Sequence, residues 1–186
     1  MNNFSINFKN DQVVEQKINL NHKNKIFYED NEFLILGLGK FFNTNIDYIA
    51  SRSFCKNFKS DINDIDGDFS FLIYNKRKKL LNIFRDKSGI KNIYYFIENE
   101  ELHISSNVYH LIQKKPSKKF SIEGVIDFLF FEHLYDPITL FENVFSVERG
   151  TFVEINLNDF SKREYFFRKK LYEYDEVYLD EKEAIS

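Results

Sequence analysis

The fold of this protein is decided by residues 65–96, which read IDGDFSFLIYNKRKKLLNIFRDKSGIKNIYYF. Residues 68–74 are largely aromatic and β-branched, which is typical of a buried strand. The charged run at residues 75–79 predicts a turn, and residues 80–84 predict the returning strand. Residues 85–91 predict a loop, after which another strand begins. The sequence therefore predicts a β-rich core assembled from hairpins.

Further strands are predicted on both sides of this core. Residues 4–8 alternate apolar and polar side chains with the period of a half-buried strand. Apolar runs on either side of acidic turns predict two more hairpins, at residues 25–28 with 33–39 and at residues 92–97 with 102–106. Later strands are predicted at residues 144–147, 151–157 and 164–167.

Two helices are predicted after the hairpins. One spans residues 108–113, and the other begins after Ser121, a good capping residue, and runs to about His133. The second helix has one apolar stripe, formed by Ile122, Val125, Ile126, Leu129 and Phe130. Residues 43–60 are mixed and hold at most a short helix at 48–58. Hairpins with a few helices favour the α+β class, with the helices covering sheet faces.

Composition and charge narrow the class of protein. Hydrophobic residues make up 43% of the 186 residues, which favours a packed single domain over a disordered chain. The net charge of −3, with Lys and Arg scattered among Asp and Glu, argues against a nucleic-acid partner. The apolar runs are too short to span a membrane, and a single cysteine forms no intramolecular disulfide. We therefore expect a soluble protein of the reducing cytoplasm.

Two features resemble functional sites, a metal site and a reactive cysteine, but have simpler structural interpretations. The acidic run at residues 61–68 resembles a calcium loop, yet the twelfth position counted from Asp64 is Asn75, where that loop needs a glutamate. We therefore expect a solvated acidic turn and no metal. Cys55 has basic neighbours that favour a lowered pKa, but a lone free cysteine is more often a buried structural thiol.

The charged loop after residue 84 is predicted to form an ordered turn. Asp86 can accept hydrogen bonds from backbone N–H groups of the turn, and Gly89 can adopt a positive φ at little cost. Arg85 is expected to pair with Asp68 or with Asp86. This interpretation makes the three loop residues structural.

Several blocks of the chain, four of them in register, resemble one family. Residues 65–75, 84–95 and 102–107 are similar to the blocks Leu-x-Gly-x-Phe-Ala-Phe, Arg-Asp-x-x-Gly-x-x-Pro-Leu-Tyr-Tyr and Ala-Ser-Glu in the N-terminal class-II glutamine amidotransferase domain of asparagine synthetases. The later blocks of that family match residues 120–129, 137–144, 147–152 and 165–166. The resemblance covers about residues 61–167, more than half of the chain.

This resemblance implies a fold and a set of structural motif residues. The fold is that of the N-terminal-nucleophile (Ntn) hydrolases, a four-layer αββα sandwich with two antiparallel sheets flanked by helices. It also implies kinship with the subgroup that contains β-lactam synthetases and lasso-peptide cyclases. The motif residues are Asp66, Gly67, Phe69, Arg85, Asp86, Gly89 and Tyr94.

The departures from the family pattern concern the site of glutamine hydrolysis. The family has cysteine at position 2, where the α-amino group activates the thiol, and this chain has Asn2. The family's Arg-Gly-Pro and Asn-Gly-Glu segments, which hold glutamine and form the oxyanion hole, have no counterpart between Phe33 and Ser60. Asn92, Asn107 and Arg149 also replace a family Pro, Glu and Pro. We therefore expect no catalytic residue in this chain.

A synthetase half is also not recognisable. The family's pyrophosphate-binding Ser-Gly-Gly-x-Asp-Ser loop does not occur in these residues, so ATP and Mg²⁺ are expected only in an associated synthetase domain. We assign residues 1–168 to a degenerate amidotransferase-like domain. Residues 169–186 are assigned to a charged tail or the start of a following helix or synthetase domain.

Three functions follow from these observations. The first is a non-catalytic scaffold or docking domain for an asparagine-synthetase-type half, present in the same chain or as a separate subunit. The second is a stand-alone module that binds a peptide or small molecule in a cleft between the sheets, lined by some of Phe69, Phe71, Tyr94 and Tyr95. The third and least favoured is an active glutamine hydrolase, in which Ser5 would serve only after unusual processing.

Overall fold

The computed structural model describes residues 3–9, 12–19 and 24–167. Asn2 and the predicted tail at residues 169–186 lie outside the described residues. Eleven strands are described: β1 (Asn3–Lys9), β2 (Gln12–Asn19), β3 (Lys25–Glu29), β4 (Phe33–Phe41), β5 (Gly67–Asn75), β6 (Leu80–Arg85), β7 (Tyr94–Glu98), β8 (Glu101–Ser105), β9 (Phe145–Ser146), β10 (Thr151–Asn156) and β11 (Lys162–Phe166). The helices are α1 (Ile46–Ile49), α2 (Arg52–Asp61), α3 (Val108–Lys114) and α4 (Ile122–Phe131), with a 3₁₀ turn at Ile62–Asp64.

The strands form two antiparallel sheets. One has five strands in the order β2-β1-β8-β7-β9, and the other has six in the order β11-β10-β6-β5-β4-β3. The alternating apolar side chains of β1, namely Phe4, Ile6 and Phe8, face residues such as Leu72 and Ile83 of the other sheet in one buried core. The sheets therefore stack face to face.

Helices cover the outer faces of both sheets. On the six-stranded sheet, Phe54 and Cys55 of α2 pack with Phe69 and Phe71 of β5. On the five-stranded sheet, Leu111 and Ile112 of α3 pack with Phe96. The result is a four-layer αββα sandwich, as predicted.

The predicted strands are present with small shifts in their ends, and two details differ. Strand β2 was not predicted, because its side chains are mostly polar and exposed and carry no apolar alternation. In residues 43–60, where one short helix at 48–58 was expected, the structure has two helices, α1 and nearly all of α2. Their N-termini are capped by the side chains of Asn45 and Ser51, which accept hydrogen bonds from the N–H groups of Tyr48 and Phe54.

The hairpins that adjoin in sequence belong to different sheets. Hairpin β5–β6 lies in the six-stranded sheet and hairpin β7–β8 in the five-stranded sheet. The intervening loop, residues 86–93, therefore crosses from one sheet to the other. This crossing places the Arg85–Gly89 segment at the edge of the sandwich, where loops from distant parts of the chain meet it.

The predicted orientation of α4 was wrong. Its stripe does not cover a sheet, since Ile122, Leu129 and Phe130 are between 73% and 79% exposed. The helix contacts the rest of the domain through Gly124, where an added Cβ would clash with the carbonyl oxygen of Thr139. It also ends at Phe131, two residues before the predicted end, with Glu132 in the left-handed conformation. Periodicity identifies an apolar face but not the surface that covers it.

Candidate functional site

The most elaborate polar arrangement of the domain surrounds Arg85, the last residue of β6. Its side chain is 8% exposed and makes four hydrogen bonds. Nη1 donates to Asp136 Oδ2 at 2.9 Å and to the carbonyl oxygen of Val147 at 2.8 Å. Nη2 donates to the carbonyl oxygen of Gly89 at 2.7 Å and to Asn92 Oδ1 at 2.6 Å. One guanidinium group thus joins strand β6, the crossing loop and the two loops that carry Asp136 and Val147.

Asp136 is the ion-pair partner of Arg85, and the expected pairing with Asp68 or Asp86 was wrong. Asp86, which follows the end of β6, instead uses its carboxylate to accept hydrogen bonds from backbone N–H groups of the crossing loop. The carboxylate of Asp136 also accepts a hydrogen bond from Ser146 Oγ at 2.5 Å. Asp136 lies 51 residues beyond Arg85 in the chain, and no spacing rule connects the two.

Asp86 and Gly89 have the structural roles that the sequence predicts. The buried carboxylate of Asp86 accepts hydrogen bonds from the backbone N–H of Gly89 at 2.6 Å and of Lys91 at 3.3 Å. Gly89 has φ +71, and an added Cβ would lie 2.9 Å from the Cβ of Arg149. Both the backbone conformation and the lack of space therefore disfavour a side chain at position 89.

A cavity of about 630 Å³ opens beside this cluster. This volume lies within the range of small-molecule sites in proteins, roughly 300–1,000 Å³. Tyr94 lies in its wall, and burial raises the pKa of its hydroxyl above the ordinary value. Sequence reasoning did not find most of the wall, because it is assembled from α4 and two later loops. The wall includes Arg85, Asn92, Tyr94, Phe128, Tyr135, Asp136, Phe141, Ser146 and Arg149.

The remaining motif residues lie away from the cavity. Asp66 is exposed and pairs with Lys87 at 3.1 Å. Gly67 allows β5 to approach β4, because an added Cβ would clash with the carbonyl oxygen of Lys40. Phe69 is fully buried in the outer core, and its carbonyl oxygen accepts a hydrogen bond from the Asp86 N–H at 3.0 Å. The motif therefore fixes the strands and the crossing loop.

The residues predicted to line a ligand cleft between the sheets do not lie together, so this prediction was wrong. Phe69 and Phe71 pack beneath α2 on the outer face of the six-stranded sheet. Tyr95 lies in the core between the sheets, whereas Tyr94 lines the cavity. Neighbouring residues of one strand face opposite sides, so these four rings belong to three separate environments.

The acidic run forms ordinary secondary structure and no metal site. Asp61 ends α2 and accepts a hydrogen bond from the Tyr48 hydroxyl at 2.6 Å, and Asp64 closes the 3₁₀ turn. Within residues 3–9, 12–19 and 24–167, no group of three or more His, Cys, Asp or Glu side chains is placed to hold a metal ion. In the same part of the chain, no helix has the length and apolarity needed to cross a membrane.

Cys55 is a buried thiol, as predicted. It is 2% exposed on the inner face of α2, and burial raises the pKa of the thiol to about 12. Burial outweighs the effect of its basic neighbour Arg52, which acts in the opposite direction. Cys55 is therefore a packing residue and not a reactive nucleophile.

The thiol should be nearly inert in the folded protein. At pH 8 its thiolate fraction is on the order of one in ten thousand, and its surroundings exclude reagent. We expect Ellman's reagent to label Cys55 at least about 100-fold more slowly in buffer than in guanidinium chloride. Because the chain has one cysteine, labelling after unfolding should reach one equivalent per chain. Rapid labelling of the folded protein would contradict the burial of this residue.

The two stacked antiparallel sheets between helical layers, with the Arg-Asp-x-x-Gly loop crossing between them, define an amidotransferase domain of the Ntn-hydrolase fold. The family model for the glutamine amidotransferase domain matches residues 38–166, and the chain belongs to this family. Its fold is also that of the phosphoribosylpyrophosphate amidotransferase of B. subtilis, whose structure was solved with ADP and GMP. The two chains have a TM-score of 0.50 at 10% identity, over 91% of this chain and 44% of that one.

Two curated relatives are asparagine synthetases. The glutamine-hydrolysing asparagine synthetase 1 of Bacillus subtilis is 28% identical over 152 residues, which are 79% of this chain and 24% of that protein. A putative glutamine-hydrolysing asparagine synthetase of Methanocaldococcus jannaschii is 27% identical over 127 residues, 67% of this chain and 24% of that protein. The chain thus spans about a quarter of the length of these relatives.

Proposed function

We propose that this chain is a non-catalytic amidotransferase domain that serves as a scaffold for an asparagine-synthetase-type half. The observation that supports this most strongly is Asn2, which stands where the family has its cysteine nucleophile. An amide side chain has no nucleophilic group that the α-amino group can activate. The fold is retained and, on this proposal, glutamine hydrolysis is lost.

The packing between the sheets supports the same proposal. Phe4, Ile6 and Phe8 of β1 are each at most 1% exposed and lie in a core of apolar side chains. A glutamine site needs fixed polar groups that recognise the amide and the amino acid head group. The segments that supply them in the family, Arg-Gly-Pro and Asn-Gly-Glu, have no counterpart in residues 33–60.

The purified chain should release no glutamate from glutamine above the buffer blank. The B. subtilis asparagine synthetase 1, which is named for glutamine hydrolysis, serves as the positive control. The variant Asn2→Cys, confirmed by mass spectrometry to have a free amino-terminal cysteine, should also remain inactive because the glutamine-holding segments are absent. Glutamate release in proportion to wild-type concentration would overturn the proposal. Release only by Asn2→Cys would show that the nucleophile alone was lost.

The proposed scaffold acts with a synthetase half, joined in the same chain or present as a separate subunit. Both curated relatives are asparagine synthetases in which this region is about a quarter of the protein. On this proposal, ATP and Mg²⁺ belong to the synthetase half, recognisable by its Ser-Gly-Gly-x-Asp-Ser loop, and not to this chain. The complex would work in the reducing environment of the cytoplasm.

A further inference from the structure

One surface of the domain is far more apolar than the rest. Half of the exposed large apolar side chains in the described part of the chain lie within residues 120–135. Six of them form what we call the α4 surface, with exposures from 48% to 79%: Phe120, Ile122, Ile126, Leu129, Phe130 and Phe131. Soluble monomers rarely expose such a cluster without a partner.

The α4 surface reflects the composition of the whole helix and not one or two exposed residues. Seven of its ten residues are large and apolar, and its only charged residues are Glu123 and Asp127. Gly124 contacts the domain closely, while the opposite side of the helix presents Ile122, Ile126 and Phe130 to solvent. A helix that is apolar on all sides is normally covered on all sides.

The size of the α4 surface suits a stable protein interface. At roughly 180 Å² for each fully exposed large apolar side chain, its six members expose on the order of 700 Å². This exceeds the roughly 300–600 Å² of the largest patch on a typical monomer and approaches the roughly 800 Å² that each partner buries in a standard interface.

The α4 surface is continuous with the cavity beside Arg85. Phe128, on the same helix, lines the cavity, and so does Phe141, whose ring stacks on Phe120 with centroids 5.6 Å apart. Arg149 also lines the cavity. The helix face and the cavity mouth therefore form one interaction surface.

The path of the chain leads to the same side of the domain. The N–H of Phe167, the last described residue, donates to the carbonyl oxygen of Gly150 at 3.0 Å. Gly150 follows Arg149, and its own N–H donates to the carbonyl oxygens of Arg85 and Asp86. Phe167 therefore lies beside the loop whose Arg149 lines the cavity.

We propose that the α4 surface and the cavity mouth dock the synthetase-type half. This inference rests on the proposed function and adds the location of the interface. The occupant is the asparagine-synthetase-type half, because the curated relatives extend over about three quarters of their length outside the matched region. Phe167, the last described residue, also lies beside the loop that carries the cavity-lining Arg149. The interface is apolar at α4 and polar at the cavity, as expected of a hydrophobic centre with a polar rim.

The test uses the synthetase-type protein or domain encoded with this chain, identified by its Ser-Gly-Gly-x-Asp-Ser loop and produced as a separate polypeptide. Titration calorimetry with the 186-residue chain should show binding. Phe130→Glu and Leu129→Glu should each weaken the Kd by at least about 30-fold, the effect of losing a hot spot. The matched control is Val14→Glu, which places the same charge on an apolar residue of β2 that is 63% exposed, and it should stay within about twofold of wild type.

The outcomes separate this inference from the proposed function. If the wild-type chain does not bind the synthetase half, the proposed function fails. If it binds and both α4 variants bind as tightly as Val14→Glu, the docking surface lies elsewhere and this inference is overturned. Sedimentation velocity of the wild-type chain alone tests the other occupant. A concentration-dependent dimer that Phe130→Glu abolishes would assign the surface to a second copy and also overturn the inference.

Discussion

Replacement of Arg85 by methionine should lower the free energy of unfolding by about 3–5 kcal/mol, which is the usual cost of breaking a buried ion pair. The substitution removes four hydrogen bonds and leaves Asp136, which is 26% exposed, with a carboxylate that has lost its cation. The carbonyl oxygens of Gly89 and Val147 also lose their donor. An unpaired buried acceptor costs more than the hydrogen bond contributed.

Urea denaturation followed by circular dichroism measures this effect. Lys87→Met is the matched control, because Lys87 also pairs with an aspartate, Asp66, but both side chains are substantially exposed, and its cost should stay below about 1 kcal/mol. The double variant Arg85→Met with Asp136→Asn should cost less than the sum of the single variants, because the two residues interact directly. Equal costs for Arg85→Met and Lys87→Met would contradict the structural role of Arg85.

Phe84→Ala should have a second large effect, a loss of about 3–5 kcal/mol in the free energy of unfolding. Phe84 is fully buried on β6, where its ring stacks between those of Phe71 at 4.7 Å and Phe152 at 4.9 Å and meets Phe58 edge-on at 5.3 Å. The substitution removes the centre of this aromatic group. The six-stranded sheet cannot close the space, since β6 is held by hydrogen bonds to β5 and β10 on both sides.

The same denaturation measurement distinguishes burial from the loss of an aromatic ring. Phe42→Ala makes the identical change at a side chain that is 62% exposed and should cost less than about 0.5 kcal/mol. Phe84→Leu retains most of the volume and should cost less than Phe84→Ala. A loss below about 1 kcal/mol for Phe84→Ala would show that the aromatic group is loosely packed.

The sequence by itself determined the fold class and the scaffold roles of the motif. The alternation of Phe4, Ile6 and Phe8 and the apolar run of β5 are local signals, because the sheet period acts over a few residues. The turn chemistry of Asp86 and Gly89 is equally local, since the carboxylate and the positive φ act within five residues. The match of several blocks in one order then identified the fold and its family.

The tertiary structure decided everything that depends on residues far apart in the chain. Asp136 pairs with Arg85 only because the crossing loop brings the sheet edge to a loop 51 residues later. The separation of Tyr94 from Tyr95, and of both from Phe69, depends on which sheet face each residue occupies. Helix α4 approaches the carbonyl oxygen of Thr139 at Gly124, and its apolar stripe on the opposite side faces outward. A periodic pattern specifies which side of an element is apolar, whereas the partner of that side is set by the path of the whole chain.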